Sequence, residues 1–409
     1  MTTKLTAMTT VTAALAVVAL STAGLSLSPP AQATCAALLG FSTDPTRCTS
    51  SPLGIAIALG PNAGARAAGL LGFAFAAGPD SFADTPGGAV NVALQLGANG
   101  TTVADGFLNL AANLSLRTSV PGGSEVRAQG GFGNVAINLF GDGTVAFEGH
   151  QVVADGILNV AANLGGTDNA VLAGRNGEGG TLNAAVSMFS RGSNVVAGDG
   201  FFNAAAQMGG TGNRAFATNG TANFAAQLGG SGNEVYARNG TANAAAQLEG
   251  TGNQVFATNG AANAAAQLGG SDNYVYAGNG AANAAAQLGG IGNSVYAGNG
   301  TVNAASQGGG DYTTVRAGGD GNADGYFTAA FSLLSNGQDA LERNTVLASP
   351  GPLALAGSIG QNSANVVQSG PGININRSSP AARRAAVRTR SASTADVSQT
   401  RNGRPRPAG

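Results

Sequence analysis

The chain lacks tryptophan and has one histidine, two cysteines and 10% charged residues in a length of 409. Each scarcity closes off some chemistry. His150 is the single imidazole and sits on a Gly-flanked stretch, where it reads as a loop residue rather than a general base. Two thiolates without further Cys or nearby His cannot complete a tetrahedral metal site, so neither a metal nor another cofactor is expected. No serine lies in a nucleophile elbow, and the acids are scattered. Low charge argues against charge-driven disorder. No segment after the N-terminal apolar stretch could cross a bilayer, which predicts a mature chain without a transmembrane span.

What the chain has is glycine, 66 residues of it, and a repeat. A 20-residue unit recurs from about Asn183 to Gln307, G-T/A-A-N-A-A-A-Q-L-G-G-x-G-N-x-V-Y/F-A-x-N. One Asn falls at Asn203, Asn223, Asn243, Asn263 and Asn283, and a Gln at Gln207, Gln227, Gln247, Gln267 and Gln287. A second Asn series runs through 213, 233, 253, 273 and 293. Such a period, carried by side chains, is the signature of a solenoid whose units stack on their neighbours.

In the unit Thr241 to Gly260, glycine-rich corners separate two extended runs, Ala242 to Leu248 and Asn253 to Thr258. Seven-residue helices closed by glycine would be marginal, so the runs are predicted as strands and the fold as an all-β solenoid of about 20 residues per rung. In the second run, residues 214, 234, 254, 274 and 294 are Arg, Glu, Gln, Tyr and Ser, the variation a solvent position tolerates. Strand alternation puts Phe216, Tyr236, Phe256, Tyr276 and Tyr296 on that same outer face, as a stacked column and candidate contact surface. In the first run, Asn243, Ala245 and Gln247 share one face, and Ala244, Ala246 and Leu248 the other. The near constancy of Asn and Gln favours them inside, as structural ladders in which each amide bonds its equivalents above and below; the reverse orientation would make Ala and Leu the core.

Upstream, Asn91–Gln95, Asn109–Asn113, Asn134–Asn138 and Asn159–Asn163 repeat the N-x-A-x-Q/N motif at wider spacing, as if loops entered at corners. Ile55-Ala-Ile-Ala and Phe73-Ala-Phe-Ala resemble more apolar first rungs, and Phe327 to Leu334 a last one. The expected organisation is a signal peptide over 1–33 and a disulfide-containing cap with first rungs over 34–88. The solenoid follows over 89–335, a Gly/Pro-containing segment over 336–376 and a disordered basic tail over 377–409. The signal rests on Lys4, the apolar stretch from Val11 to Leu27 and the small-x-small site Ala31-Gln-Ala33. Cys35 and Cys48, just inside the mature end of an exported chain, are expected to pair. The tail holds eight Arg, among them Arg383, Arg384, Arg388 and Arg390, against the single acid Asp396. It suits a solvated segment or attachment to an anionic polymer; without interleaved aromatics, no specific nucleic acid is expected.

The run Gln227-Leu-Gly-Gly-Ser-Gly-Asn233-Glu-Val235 resembles the repeat of curlin-type amyloid subunits, which implies stacked strand–turn–strand rungs. Gln and Asn lie one residue further apart here than in curlin, and Asn-Gly stands where a second Gln closes the curlin unit. By composition alone the chain also resembles exported Gly/Ala/Asn-rich repeat proteins of mycobacteria. The corners partly resemble a calcium-binding nonapeptide, but the required Asp is replaced by Arg214, Glu234, Gln254, Tyr274 and Ser294. These features predict an exported, non-enzymatic structural or adhesive repeat protein, secreted or on the cell surface. Its expected partners are another surface, a wall polymer, a host or neighbour protein, or further copies of itself. The alternatives are a ligand-reading solenoid for carbohydrate or a repetitive surface such as ice, and a polysaccharide-active enzyme using paired carboxylates.

Overall fold

The computed structural model describes residues 34–115, 123–143, 150–174, 180–319 and 324–378. The expected signal peptide and the tail arginines Arg383, Arg384, Arg388 and Arg390 lie outside the described residues. The described residues are all β, wound into a parallel solenoid of about 15 turns with about 20 residues per rung. At the usual spacing between strands, that makes a rod about 70 Å long.

One turn shows how the sequence makes the coil. Ala244–Leu248 is a strand, Glu249 to Asn253 turn a corner, and Gln254–Ala261 is the second strand. The boundaries differ from the expected runs because Ala242 adopts φ 57°, a left-handed conformation that no strand accommodates, and so belongs to the corner. At the other end, the second strand runs through Asn259 and Gly260, because Gly260 and Ala261 pair with Gly280 and Ala281 of the next turn. Glycine is required at Gly260: φ is 152°, and a Cβ there would strike the carbonyl oxygen of Gly280.

Each strand pairs with its equivalent one turn away. Ala244 lies beside Ala264, and Gln254 beside Tyr274, a step of 20 residues (264 − 244 and 274 − 254). Two broad sheets result, one containing the Ala/Leu strands and the other the aromatic strands. Single bridges such as Ser231 to Thr251 join successive turns at the corner between them. Wider spacing upstream leaves the register intact. Leu110 pairs with Val135, 25 residues on (135 − 110), and the surplus falls between strands.

The stack extends beyond the sequence-based limit at residue 335. Ala354–Ile359 pairs with Ala329–Leu333, Gly372–Arg377 pairs with Ala354–Ile359, and Asn344–Ala348 joins the other sheet. Here the step stretches to 26 residues between Ala329 and Leu355 (355 − 329), and the Pro-containing stretch forms a corner. Thus much of the predicted terminal segment supplies further turns. At the opposite end, Thr34–Leu38 runs antiparallel to Ile55–Leu59 and closes the first turn. Cys35 and Cys48 are joined by a disulfide and are both buried in the core.

The core between the sheets is narrow, formed by small side chains and amides. Per turn it receives residues such as Asn243, Ala245 and Gln247 from one sheet and Asn253, Val255 and Ala257 from the other, all buried. Alanine at the centre lets the two sheets approach, while the amides satisfy backbone groups left open at the corners.

Candidate functional surfaces

The asparagines form the longest continuous device in the molecule. Asn203, Asn223, Asn243, Asn263 and Asn283 are buried at one corner. The Oδ1 of each accepts the backbone N–H of its equivalent one turn on, as in Asn263 N to Asn243 Oδ1 at 3.2 Å and Asn283 N to Asn263 Oδ1 at 3.1 Å. The Nδ2 donates to carbonyls of its own corner, for example Asn243 to Arg238 O at 3.2 Å. The series extends from Asn91, whose Oδ1 accepts from Asn109 N, to Thr328, whose N–H donates to Asn303 Oδ1. A second series links Asn213, Asn233, Asn253, Asn273 and Asn293 in the same way. The expected ladder of amide to amide is therefore replaced, at most of these positions, by one of side chain to backbone. Corner N–H groups lack strand partners, and Oδ1 meets that need first.

The glutamines behave differently again. Gln207, Gln227, Gln247, Gln267 and Gln287 are buried, and each Nε2 donates to the carbonyl two residues on in its own turn, as in Gln267 to Gly269 O at 3.1 Å. Their Oε1 atoms have no hydrogen-bond partner. They brace corners within a turn instead of forming a ladder between turns. An amide-to-amide ladder does exist, on the outside. Asn219, Asn239, Asn259, Asn279 and Asn299 occupy left-handed corners, and each Nδ2 donates to the next Oδ1, at 3.2, 3.2, 3.1 and 3.0 Å. The Asn-Gly dipeptides marked this corner in the sequence, but their 20-residue recurrence also carried the ladder.

His150 is a further difference from the sequence reading. It is fully buried and takes the place of an asparagine in the second series: its Nδ1 accepts from Asn169 N at 3.3 Å. Burial pushes its pKa down to about 4, against the opposing charge of Asp168. It is neutral at pH 7.

Phe216, Tyr236, Phe256, Tyr276 and Tyr296 are half-buried on the outer face of their sheet. Phe216 stacks on Tyr236 and Tyr236 on Phe256, both with centroids 5.1 Å apart, and Tyr276 stacks on Tyr296 at 4.7 Å. Tyr274 leans into the column between the two sets, 5.5 Å from Phe256. Arg238 covers Tyr236 at 5.0 Å and Arg316 covers Tyr296 at 4.9 Å. The ring faces are largely occupied by one another or by guanidinium groups, leaving edges and hydroxyls to solvent. Tyr276 and Tyr296 donate those hydroxyls to Asn279 and Asn299.

The opposite wall is of another kind. From Ile55–Leu59 to Ala354–Ile359, fifteen strands of the Ala/Leu sheet each turn three residues outward, forty-five positions in all. None is charged, and Ser306 alone carries a polar side chain. A column of Met208, Leu228, Leu248, Leu268 and Leu288 stands exposed along one edge. Beside it, Ala206, Ala226, Ala246, Ala266 and Ala286 floor a shallow groove of about 640 Å³.

Among the described residues, no three His, Cys, Asp or Glu side chains come together, and no helix is long and apolar enough to cross a membrane. Geometry thus defines a two-faced parallel β-solenoid with one apolar wall and one polar, aromatic wall. In comparisons with protein-family models, curated proteins and solved structures, nothing matches the chain.

Proposed function

We propose that this chain is an exported, non-enzymatic structural or adhesive rod of the cell envelope or extracellular space. The observation that carries the reading is the apolar wall, which extends over fifteen turns of a regular coil. Monomeric soluble proteins rarely expose contiguous apolar patches above a few hundred Å², and larger ones mark surfaces made to be covered. The disulfide between Cys35 and Cys48 supports an oxidising location. The curlin-like repeat supports a role in assembly.

The test is the fate of the full-length chain on expression in a secreting host. Protein recovered from the medium or the cell surface should begin at Thr34. Chain that stays inside the cell with residues 1–33 attached would refute export. A second reading, recognition of a repetitive surface such as ice, draws on the same flat alanine floor. Thermal hysteresis of the mature protein would favour it, and normal freezing would remove it.

A further inference from the structure

The apolar wall has a shape as well as a composition. Over the central turns, each strand presents a large residue at one edge and alanine at the centre and the other edge, as Leu248, Ala246 and Ala244 do. The wall is therefore a ridge beside a trough, repeated at every rung. Two such walls fit together face to face in one way that places ridge over trough. The two-fold axis then lies along the rod, both copies point in the same direction, and equal turns meet. Leu248 of one copy then covers Ala244 of the other, and Ala246 meets its own equivalent on the axis. Running the rods in opposite directions would set leucine ridge against leucine ridge.

We propose that the Ala/Leu wall pairs two copies of this chain, side by side and parallel, into a double rod. Three observations select a second copy as the occupant. The wall offers no charge over its fifteen strands, so its partner must be equally apolar. Only another coil of the same pitch keeps side chains in register along the whole length, since each rung lies about 4.8 Å from the next. The area is also sufficient. Strands of five residues span about 17 Å, and over about 70 Å this gives roughly 1,200 Å² per copy, or about 2,400 Å² in total, the size of permanent homodimer interfaces. Alanine at the centre allows the sheets to approach closely, as small residues do wherever flat surfaces pack. The pairing is isologous and closes on itself, leaving both aromatic walls outward.

The inference rests on the rod reading above, and the measurements keep the two apart. Mass by light scattering of the full mature chain at about 10 µM, without lipid, should be twice that of one chain. Ala246→Arg with Ala266→Arg places two guanidinium groups on the wall and should return a single-chain mass with an unchanged circular-dichroism spectrum. Gln254→Arg, on the opposite wall, should remain paired. Because an arginine variant could fail to fold, Ala246→Cys supplies an independent readout. Diamide should link it into a covalent dimer through the two introduced thiols, which meet across the axis, whereas Gln254→Cys should stay unlinked. A single-chain mass for the unaltered protein, or a covalent dimer from Gln254→Cys but not Ala246→Cys, overturns the proposal. So does a monomer that binds phosphatidylcholine vesicles through the wall, which would make a lipid surface the occupant. A secreted, surface-retained monomer would remove the pairing and leave the structural rod standing.

Discussion

Removing one rung of the buried asparagine ladder should cost far more than removing a charge from the surface. In Asn243→Ala, the N–H of Asn263 loses its acceptor, Asn243 Oδ1, and the carbonyl of Arg238 loses a donor, Asn243 Nδ2. The N–H of Asn243 itself retains Asn223 Oδ1. One buried donor is left unsatisfied, and such a group costs about 1–3 kcal/mol. Asn243→Asp is a sharper probe. It preserves the acceptor for Asn263 but replaces the amide donor with a buried negative charge facing a carbonyl, so at neutral pH it should be worse than alanine. Glu234→Ala provides the surface comparison, because the pair it breaks, with Arg214 at 3.0 Å, is largely exposed and worth about 0–1 kcal/mol. Thermal melts of the three variants should rank Asp below Ala, and Ala below the Glu234 variant, with the last near the parent. If Asn243→Ala melts with Glu234→Ala, the ladder is ornamental and the corners are held by something other than Oδ1.

Acid should act through His150. Its pKa falls from about 6.5 when unfolded to about 4 when folded, so between those values only the unfolded chain binds the proton. Stability should decline from pH 6.5 to pH 4 by about 3 kcal/mol and not further from this group. His150→Asn, the residue found at sister positions, should abolish that component in pH-dependent urea titrations; equal acid sensitivity in both proteins would refute it. In the aromatic column, Tyr236→Ser interrupts two stacks and Phe216→Ser one. At roughly 0.5–1.5 kcal/mol per pair, the first should cost about twice the second; equal losses would show that the rings act singly. Cys35→Ser should weaken the first turn by about 3 kcal/mol, the chain-entropy value for so short a loop. Limited proteolysis should then open the N-terminal turn while the central array stays protected, and uniform digestion would contradict turn-by-turn stability.

Much of this architecture was legible because strands alternate and corners do not vary. The period gave the coil, and the constancy of Asn243 and Gln247 gave the inward face. Hydrogen-bond destinations were not legible. An inward amide can serve its equivalents or the backbone, and only the corner geometry decides. His150 escaped because the wider spacing upstream hides its equivalence to Asn169, and the outer ladder from Asn219 to Asn299 escaped because Asn-Gly reads first as a turn. The turns beyond residue 335 lack the N-x-A-x-Q signature: Thr328 and Ser332 hold the inward positions, and Ser358 the corresponding one in the next turn. The apolar wall followed from placing Asn and Gln inside, but its extent depends on upstream strands where alanine gives way to Val, Ile, Leu and Phe.

The fixed register makes the rod unforgiving about arithmetic along its strands and indifferent to it at its corners. Deleting one residue within Ala244–Leu248 would exchange inside for outside there, setting alanine and leucine where the amides belong. Gaining five between Leu110 and Val135, compared with the 20-residue unit, leaves every pairing of those strands in place. Length is therefore a quantity that duplication or loss of a whole unit can change freely. A gene carrying near-identical 60-nucleotide segments could lengthen or shorten its product through recombination alone, and each exchange would return a working rod with its two faces still aligned.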